Sequence, residues 1–361
     1  MPVDDRTLRK QFPVLEHTAY LNAGTDGPLP AVAAQAGAKE LAGEAERGRA
    51  RAHFERRTEL GSALRVCYAR ALGCESGDVA LTTCTTEGLS IVIDGLDLKE
   101  GDEILTSEEE HPGLLGVLAA AREANGAVVR MAPFDLLADE VGPSTRLVAC
   151  SHVSWMTGRL APAGLSELDI PVVLDGAQGV GAIHTDVHAL GCDAYAGAGQ
   201  KWMCGPDGTG MLYVSPELRE RVRSKRRGYG NLHDPEAGLQ ARLQEDARRF
   251  DTLALSAEAL ATALAAAEVL EGASWTEVHE RALALSSSLV GRLESIGREV
   301  TPRGDTTLVS FSSPDPEGER TALAQDGVVL RDIPGKPWLR ASVGAWNDER
   351  DLERLLATLA R

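Results

Sequence analysis

The chain has 361 residues, with 54 acidic residues against 37 basic ones and a net charge of −17. Its 43% hydrophobic and 25% charged content is that of an ordinary globular protein, long enough for two domains. The negative balance argues against nucleic acid or an anionic membrane as partner, and no run approaches the roughly 20 apolar residues that cross a bilayer.

The opening "MPVDDRTLRKQF" lacks the apolar stretch of a secretory signal, so a cytoplasmic protein is expected. Alanine- and arginine-rich helical patterns cover roughly 31–72. From about 78 to 215, short apolar runs alternate with helical segments. The runs are "DVALTTC", "DEILTSEE", "AVVRMAP", "TRLVACSHVS", "PVVLDGAQ", "DAYAGAGQ" and "GTGMLYV". The helices between them include "TEGLSIVIDGL" and "PGLLGVLAAAREAN". This alternation predicts an α/β fold with a mainly parallel seven-stranded sheet covered by helices. The runs are nearly continuous, as strands buried on both faces should be.

From about 255 the helix "SAEALATALAAAEVLEG" leads into a smaller α+β region. Its strand candidates are "TTLVSFSS", "GVVLRDI" and "LRASVGA", and it ends on the helix "DERDLERLLATLA". The expected division is a large domain over 15–254 and a small one over 255–361, joined by segment 1–14. The six cysteines form no CxxC pair and read as free thiols in a reducing compartment.

A parallel sheet of this kind binds ligands at the carboxyl ends of its strands. Polar residues just past the apolar runs are therefore the candidates: Thr85 and Thr86, Glu110 and His111, Ser151 and His152, Asp175 with Gln178, and Gln200 with Lys201. Lys201 stands out further. Arginine supplies 31 of the 37 basic residues and lysine only six. An amine can lose its proton and attack a carbonyl, which a guanidinium cannot. Thr85 and Thr86 open a helix, whose free N–H groups suit a phosphate. Asp175 closes a buried strand and needs a cationic or N–H partner. A phosphate cup, a carboxylate for a ring nitrogen, an amide for a ring hydroxyl, a flat side chain and a lysine together describe a site for pyridoxal 5′-phosphate (PLP).

The same stretches carry a resemblance. "TTCTTEGL", "EEEHPG", "SHVSWMTG", "VVLDGAQGVGA", "DAYAGAGQKWMCGPDGTGMLYV" and "LRASVGAWNDERDLERLL" resemble, in order, the class V aminotransferase and cysteine desulfurase group of fold-type I PLP enzymes. The resemblance implies that Lys201 is the Schiff-base lysine, Asp175 the pyridinium partner and His111 the ring-stacking residue. It gives Gln178 the ring hydroxyl, Thr85 and Thr86 the phosphate, and Arg340 the substrate carboxylate. Gln200 joins the cofactor set, and Trp155 and Asn22 the substrate set. The family often has Ser or Thr at position 198 and His at 200, where this chain has Ala198 and Gln200. It also implies a homodimer with the site at the interface, and "RRFDTL" matches a region that often reaches the neighbouring subunit's cofactor.

Persulfide-forming desulfurases of that group need a cysteine on a loop before the Arg340 element. The stretch "DGVVLRDIPGKPWLRASVG" has none. The motifs "SHVSWMTG", "YLNAGTDGPLP" and "LRDIPGKPWLRAS" look like the L-cysteine/cystine C–S lyases of the same fold. That implies α,β-elimination to pyruvate, ammonia and a persulfide or thiol. An aminotransferase or epimerase, a lyase for another S-substituted cysteine, and an idle PLP-fold binding protein are the rivals. A Rossmann dehydrogenase is disfavoured because "DGAQGVGA" and "GPDGTG" have the wrong glycine spacing. His184 and His188 in "HTDVH" lack the partner of a zinc helix, so no metal site is expected.

Overall fold

The computed structural model describes residues 8–361. A short strand β1 (Ala19–Tyr20) precedes helices α1 (Ala31–Arg47) and α2 (Arg51–Leu72). The central stretch runs β2 (Val79–Thr82), α3 (Thr85–Gly95), β3 (Glu103–Ser107), α4 (Pro112–Asn125), β4 (Val128–Ala132), β5 (Thr145–Ser151), β6 (Val172–Asp175), β7 (Ala194–Ala198), β8 (Gly210–Val214) and α5 (Pro216–Arg221). After it come α6 (Ala257–Gly272), α7 (Trp275–Ser295), β9 (Leu308–Ser312), α8 (Pro316–Gln325), β10 (Val328–Val329), β11 (Arg331–Asp332), β12 (Trp338–Ser342) and α9 (Glu349–Leu359).

The seven strands expected from the apolar runs form one sheet, in the order β2-β8-β7-β6-β5-β3-β4. Pairings from β7 through β4 are parallel, whereas β8 runs against both its neighbours. Six strands therefore end on the same edge of the sheet, and β8 alone starts there.

Side-chain alternation along the strands divides the core in two. Leu105, Val148, Cys150, Leu174 and Met211 join Leu64 and Tyr68 of α2 and Leu260 of α6 on one face. Ile104, Leu147, Ala149, Val173 and Leu212 join Leu89 and Val92 of α3 and Leu114 of α4 on the other. Helices on both faces explain why the strand sequences are apolar at nearly every position.

The caps are written locally. The Glu87 N–H donates to the Cys84 thiol at 3.4 Å to start α3, and the Gly113 N–H donates to His111 Nδ1 at 3.0 Å to start α4. Pro112 at the first position of α4 gives up an N–H that the helix does not use.

A second, antiparallel sheet has the order β11-β12-β9. Its register sets Arg331 directly opposite Arg340. The run "GVVLRDI", expected as one strand, splits between two sheets: β10 pairs with β1, and β11 pairs with β12. The split follows from β1 claiming Val328–Val329, while Asn22 just beyond it bridges to Ser342 of β12. The segment after β1 is thereby drawn across the end of the large sheet, where Gly27 N–H donates to the Gln200 carbonyl at 2.7 Å.

Gly176 shows how tightly that edge is packed. A Cβ on it would lie 1.9 Å from Tyr195 Cε1 on the adjacent strand. Gly176→Ala is expected to destabilise the protein by about 1–3 kcal/mol or more and to displace Asp175 beside it, as read from urea melts and a lowered cofactor affinity.

Candidate active site

The strand ends meet at a cavity of about 200 Å³. Thr85, Thr86, His111, Asp175, Gln178, Gln200 and Lys201 all line it. Trp155 and Arg340 complete its wall from the substrate set. Nine of the ten residues given cofactor or substrate roles in the sequence thus stand around one space, whereas the strand-end candidates Glu110, Ser151 and His152 are buried outside its wall. Asn22 is not in the wall. Its Oδ1 accepts a hydrogen bond from Thr25 Oγ1 at 2.9 Å, so it braces a residue that is.

The electrostatics follow from burial. Burial pushes the Asp175 carboxyl up, opposed by Lys201 and by the Ala177 N–H, which donates to its Oδ1 at 3.0 Å. The Lys201 amine is pushed below its usual range by burial, with Asp175 pulling the other way and Arg340 adding to the fall. Burial and the nearby cations Lys201, Arg331 and Arg340 bring His111 down to about 4. Its imidazole is therefore neutral at physiological pH. The Arg340 guanidinium is fully buried, and burial with repulsion from Arg331 brings it down to about 9.

Aromatic packing fixes the cavity's upper wall. The rings of His111 and Trp155 meet edge to face at 5.1 Å. The Arg331 guanidinium lies 5.5 Å above the Trp155 ring, a cation–π geometry. Arg340 Nη1 donates to the Trp155 carbonyl at 2.6 Å. Below, Gln178 is held at both ends: its Nε2 donates to Gly24 O at 2.7 Å, and its Oε1 accepts from Trp202 Nε1 at 2.9 Å. One N–H of that amide is left for a ligand.

Several buried polar atoms of the wall have no partner within the described residues: Thr85 Oγ1, Gln200 Oε1, Trp155 Nε1, and Arg340 Nε and Nη2. Leaving such atoms unpaired is costly, so their concentration here marks a place for a polar ligand. The donor set fits PLP. Thr85 and Thr86 at the start of α3 suit the phosphate, Asp175 suits a protonated ring nitrogen, and neutral His111 suits a ring face.

Five residues of the wall were missed in the sequence: Gly24, Thr25, Cys84, Ala177 and Arg331. Cys84 sits immediately before the Thr85–Thr86 pair and was visible as its neighbour. Gly24 and Thr25 lie within "NAGTDG", whose position depends on the β1–β10 pairing. Arg331 has no local signal, because only the β11–β12 register brings it opposite Arg340.

Residues 20–355 match the family model described as aminotransferase class-V, and the chain belongs to that family of PLP-dependent enzymes. Its relatives there include probable cysteine desulfurases, isopenicillin N epimerases and the cystine C–S lyase C-DES. It is 30% identical over 243 residues to a probable cysteine desulfurase of Methanothermobacter thermautotrophicus, covering 63% of this chain and 60% of the relative. It is 32% identical over 176 residues to isopenicillin N epimerase of Streptomyces clavuligerus, covering 44% of each. These two matches span less than two thirds of the relatives' lengths. Among solved structures, the cystine C–S lyase C-DES bound to its product cysteine persulfide superposes with a TM-score of 0.90 at 29% identity, over 97% of this chain and 99% of that one. A C-DES mutant with glycine covalently linked to PLP gives a TM-score of 0.91 at 29% identity, over 98% of both chains.

The ring of His111 is expected to remain neutral above about pH 4. Its NMR signals should not titrate between pH 5.5 and 8, whereas an exposed histidine titrates near 6.5.

Proposed function

We propose that the protein is a PLP-dependent carbon–sulfur lyase that cleaves L-cystine, L-cysteine or another S-substituted cysteine by α,β-elimination. The observation that carries this reading is the cavity that joins Lys201 and Asp175 to two arginines, Arg340 and Arg331, with no cysteine on the hairpin between those arginines.

When bound, PLP supplies an electron-accepting ring that stabilises the charge left as the Cα–H bond breaks. Lys201 Nζ, whose proton affinity burial reduces, takes the Cα proton. Asp175 would pair with the ring nitrogen and keep it protonated. Arg340, whose Nε and Nη2 have no partner among the described residues, would hold the α-carboxylate with them and so orient the Cα–H bond for removal. His111 covers the ring without adding charge. The sulfur leaves from Cβ with the electron pair of its bond, and the three-carbon remainder hydrolyses to pyruvate and ammonia. From cystine the leaving group is a persulfide, a better leaving group than a thiolate, so the reaction requires no enzyme cysteine.

Arg331 supports the substrate reading. It is half-buried, seated on Trp155, and faces the same cavity as Arg340. A substrate with a second anionic group beyond sulfur, such as cystine with its far carboxylate, would meet it.

One observation favours a second reading, transfer of sulfur to the enzyme itself. Cys84 lies in the cavity wall. Cys204, three residues past Lys201, does not fit that role: it is fully buried, and burial pushes its thiol well up. We further propose that residues 15–254 and 255–361 act as large and small domains, and that a homodimer completes the site.

Purified protein with PLP is expected to show a visible absorbance band that resists dialysis, and Lys201→Ala should lose the borohydride-fixed form. Pyruvate release from L-cystine without a keto-acid acceptor separates the lyase from an aminotransferase, while racemised substrate would indicate an epimerase. Mass spectrometry of Cys84 after turnover tests the second reading. Arg331→Ala should raise KM for L-cystine by about tenfold or more, with a smaller change for L-cysteine.

A further inference from the structure

Behind the cavity wall lies a carboxyl that the proposed chemistry leaves unused. Glu110 is 4% exposed and directly precedes His111. Its Oε1 accepts from Ser107 Oγ at the end of β3. Its Oε2 accepts from Ser151 N–H at 2.9 Å and Ser151 Oγ at 2.6 Å, at the end of β5. Ser151 is the register partner of Asp175 on β6, and the His152 N–H donates to the Asp175 carbonyl at 2.9 Å. One side chain thus ties two strand ends, β3 and β5, to the residue that carries the stacking imidazole, and the backbone of β5 passes the tie on to β6. Its neighbour Glu109 extends the tie, accepting from Thr157 Oγ1 at 2.8 Å and from Ser154 Oγ, on either side of Trp155.

We propose that Glu110 is a positioning residue of the cofactor site: it sets where His111 and Asp175 stand, and its ionisation changes the field that Asp175 presents to the ring nitrogen. All three hydrogen bonds come from neutral donors, so among the described residues no cation is bonded to its carboxylate. The titratable groups that face it are Asp175 on β6 and Cys150 on β5, beside His111 on its own loop. Burial, with Asp175 adding, pushes the Glu110 carboxyl up to about 7, against the pull of Ser107 and Ser151. Loss of its proton places a second negative charge next to Asp175. That charge strengthens proton binding at whatever Asp175 pairs with.

The sign for stability follows. The folded state binds this proton more tightly than the unfolded chain, so the contribution is full below the unfolded carboxyl range and is lost as pH rises through about 7.

This inference rests on the cofactor reading and not on the choice of substrate. Wild type, Glu110→Gln and Glu110→Ala are compared by two readouts: the absorbance and affinity of bound PLP across pH 5.5–8.5, and thermal melts of the cofactor-free proteins. Wild type should show a spectral inflection near pH 7 that Glu110→Gln lacks. The Gln variant should keep PLP affinity within about threefold, and the Ala variant should lose about tenfold or more. The melting temperature of Glu110→Gln should gain on wild type between pH 6 and 8. Should Glu110→Ala fail to fold, the Gln titration and melts still decide. An inflection retained in Glu110→Gln, with a melting difference flat in pH, overturns the proposal. A wild type that stays colourless with PLP overturns the cofactor reading and this proposal together; a coloured wild type with indifferent variants overturns this proposal alone.

Discussion

A buried carboxylate that makes no direct ion pair among the described residues organises the centre of this protein. Asp175 closes the middle strand of the large sheet, and burial raises the cost of its charge. The described residues offer it one backbone N–H at its Oδ1 and the field of Lys201. Lys201 is in turn disfavoured as a cation by its own burial. Each group relieves the other only in part, so the pair is poised for a ligand that brings a protonated ring nitrogen to one and a carbonyl to the other. The rest of the cavity is arranged around that need. Arg340 and Arg331 face it from the small sheet, and their charges help keep His111 neutral.

Much of this was legible in the chain. The apolar runs marked the seven strands because both faces of the sheet are covered, and the strand-end rule then located the polar residues that converge. Lys201, Asp175, Gln178, His111, Thr85 and Thr86 were found in that way, each within a few residues of a strand that could be read. Arg340 and Trp155 came by resemblance, and both stand in the cavity.

What escaped has a common physical cause. Arg331, Gly24 and Thr25 reach the site through pairings between distant segments, β11 with β12 and β1 with β10. No local pattern announces such a register. Asn22 was assigned to substrate by resemblance, yet its side chain turns to Thr25. Gln200 was noted as a departure, and its buried Oε1 is without a partner in the described residues. An amide there offers both a donor and an acceptor where the family often has an imidazole, so ligand contacts at this position are free to differ in kind.

The antiparallel ladder beneath the two arginines has a consequence for how such a site can diversify. Arg331 and Arg340 are register partners, so their separation is dictated by backbone hydrogen bonding and not by the turn that joins them. The intervening tip around Gly335 and Lys336 can therefore lengthen, shorten or acquire new chemistry while the spacing of the two guanidinium groups stays constant. Under the proposed reading the ladder would serve as a gauge for ligand length, with the tip a separate module that can be exchanged without recalibrating it.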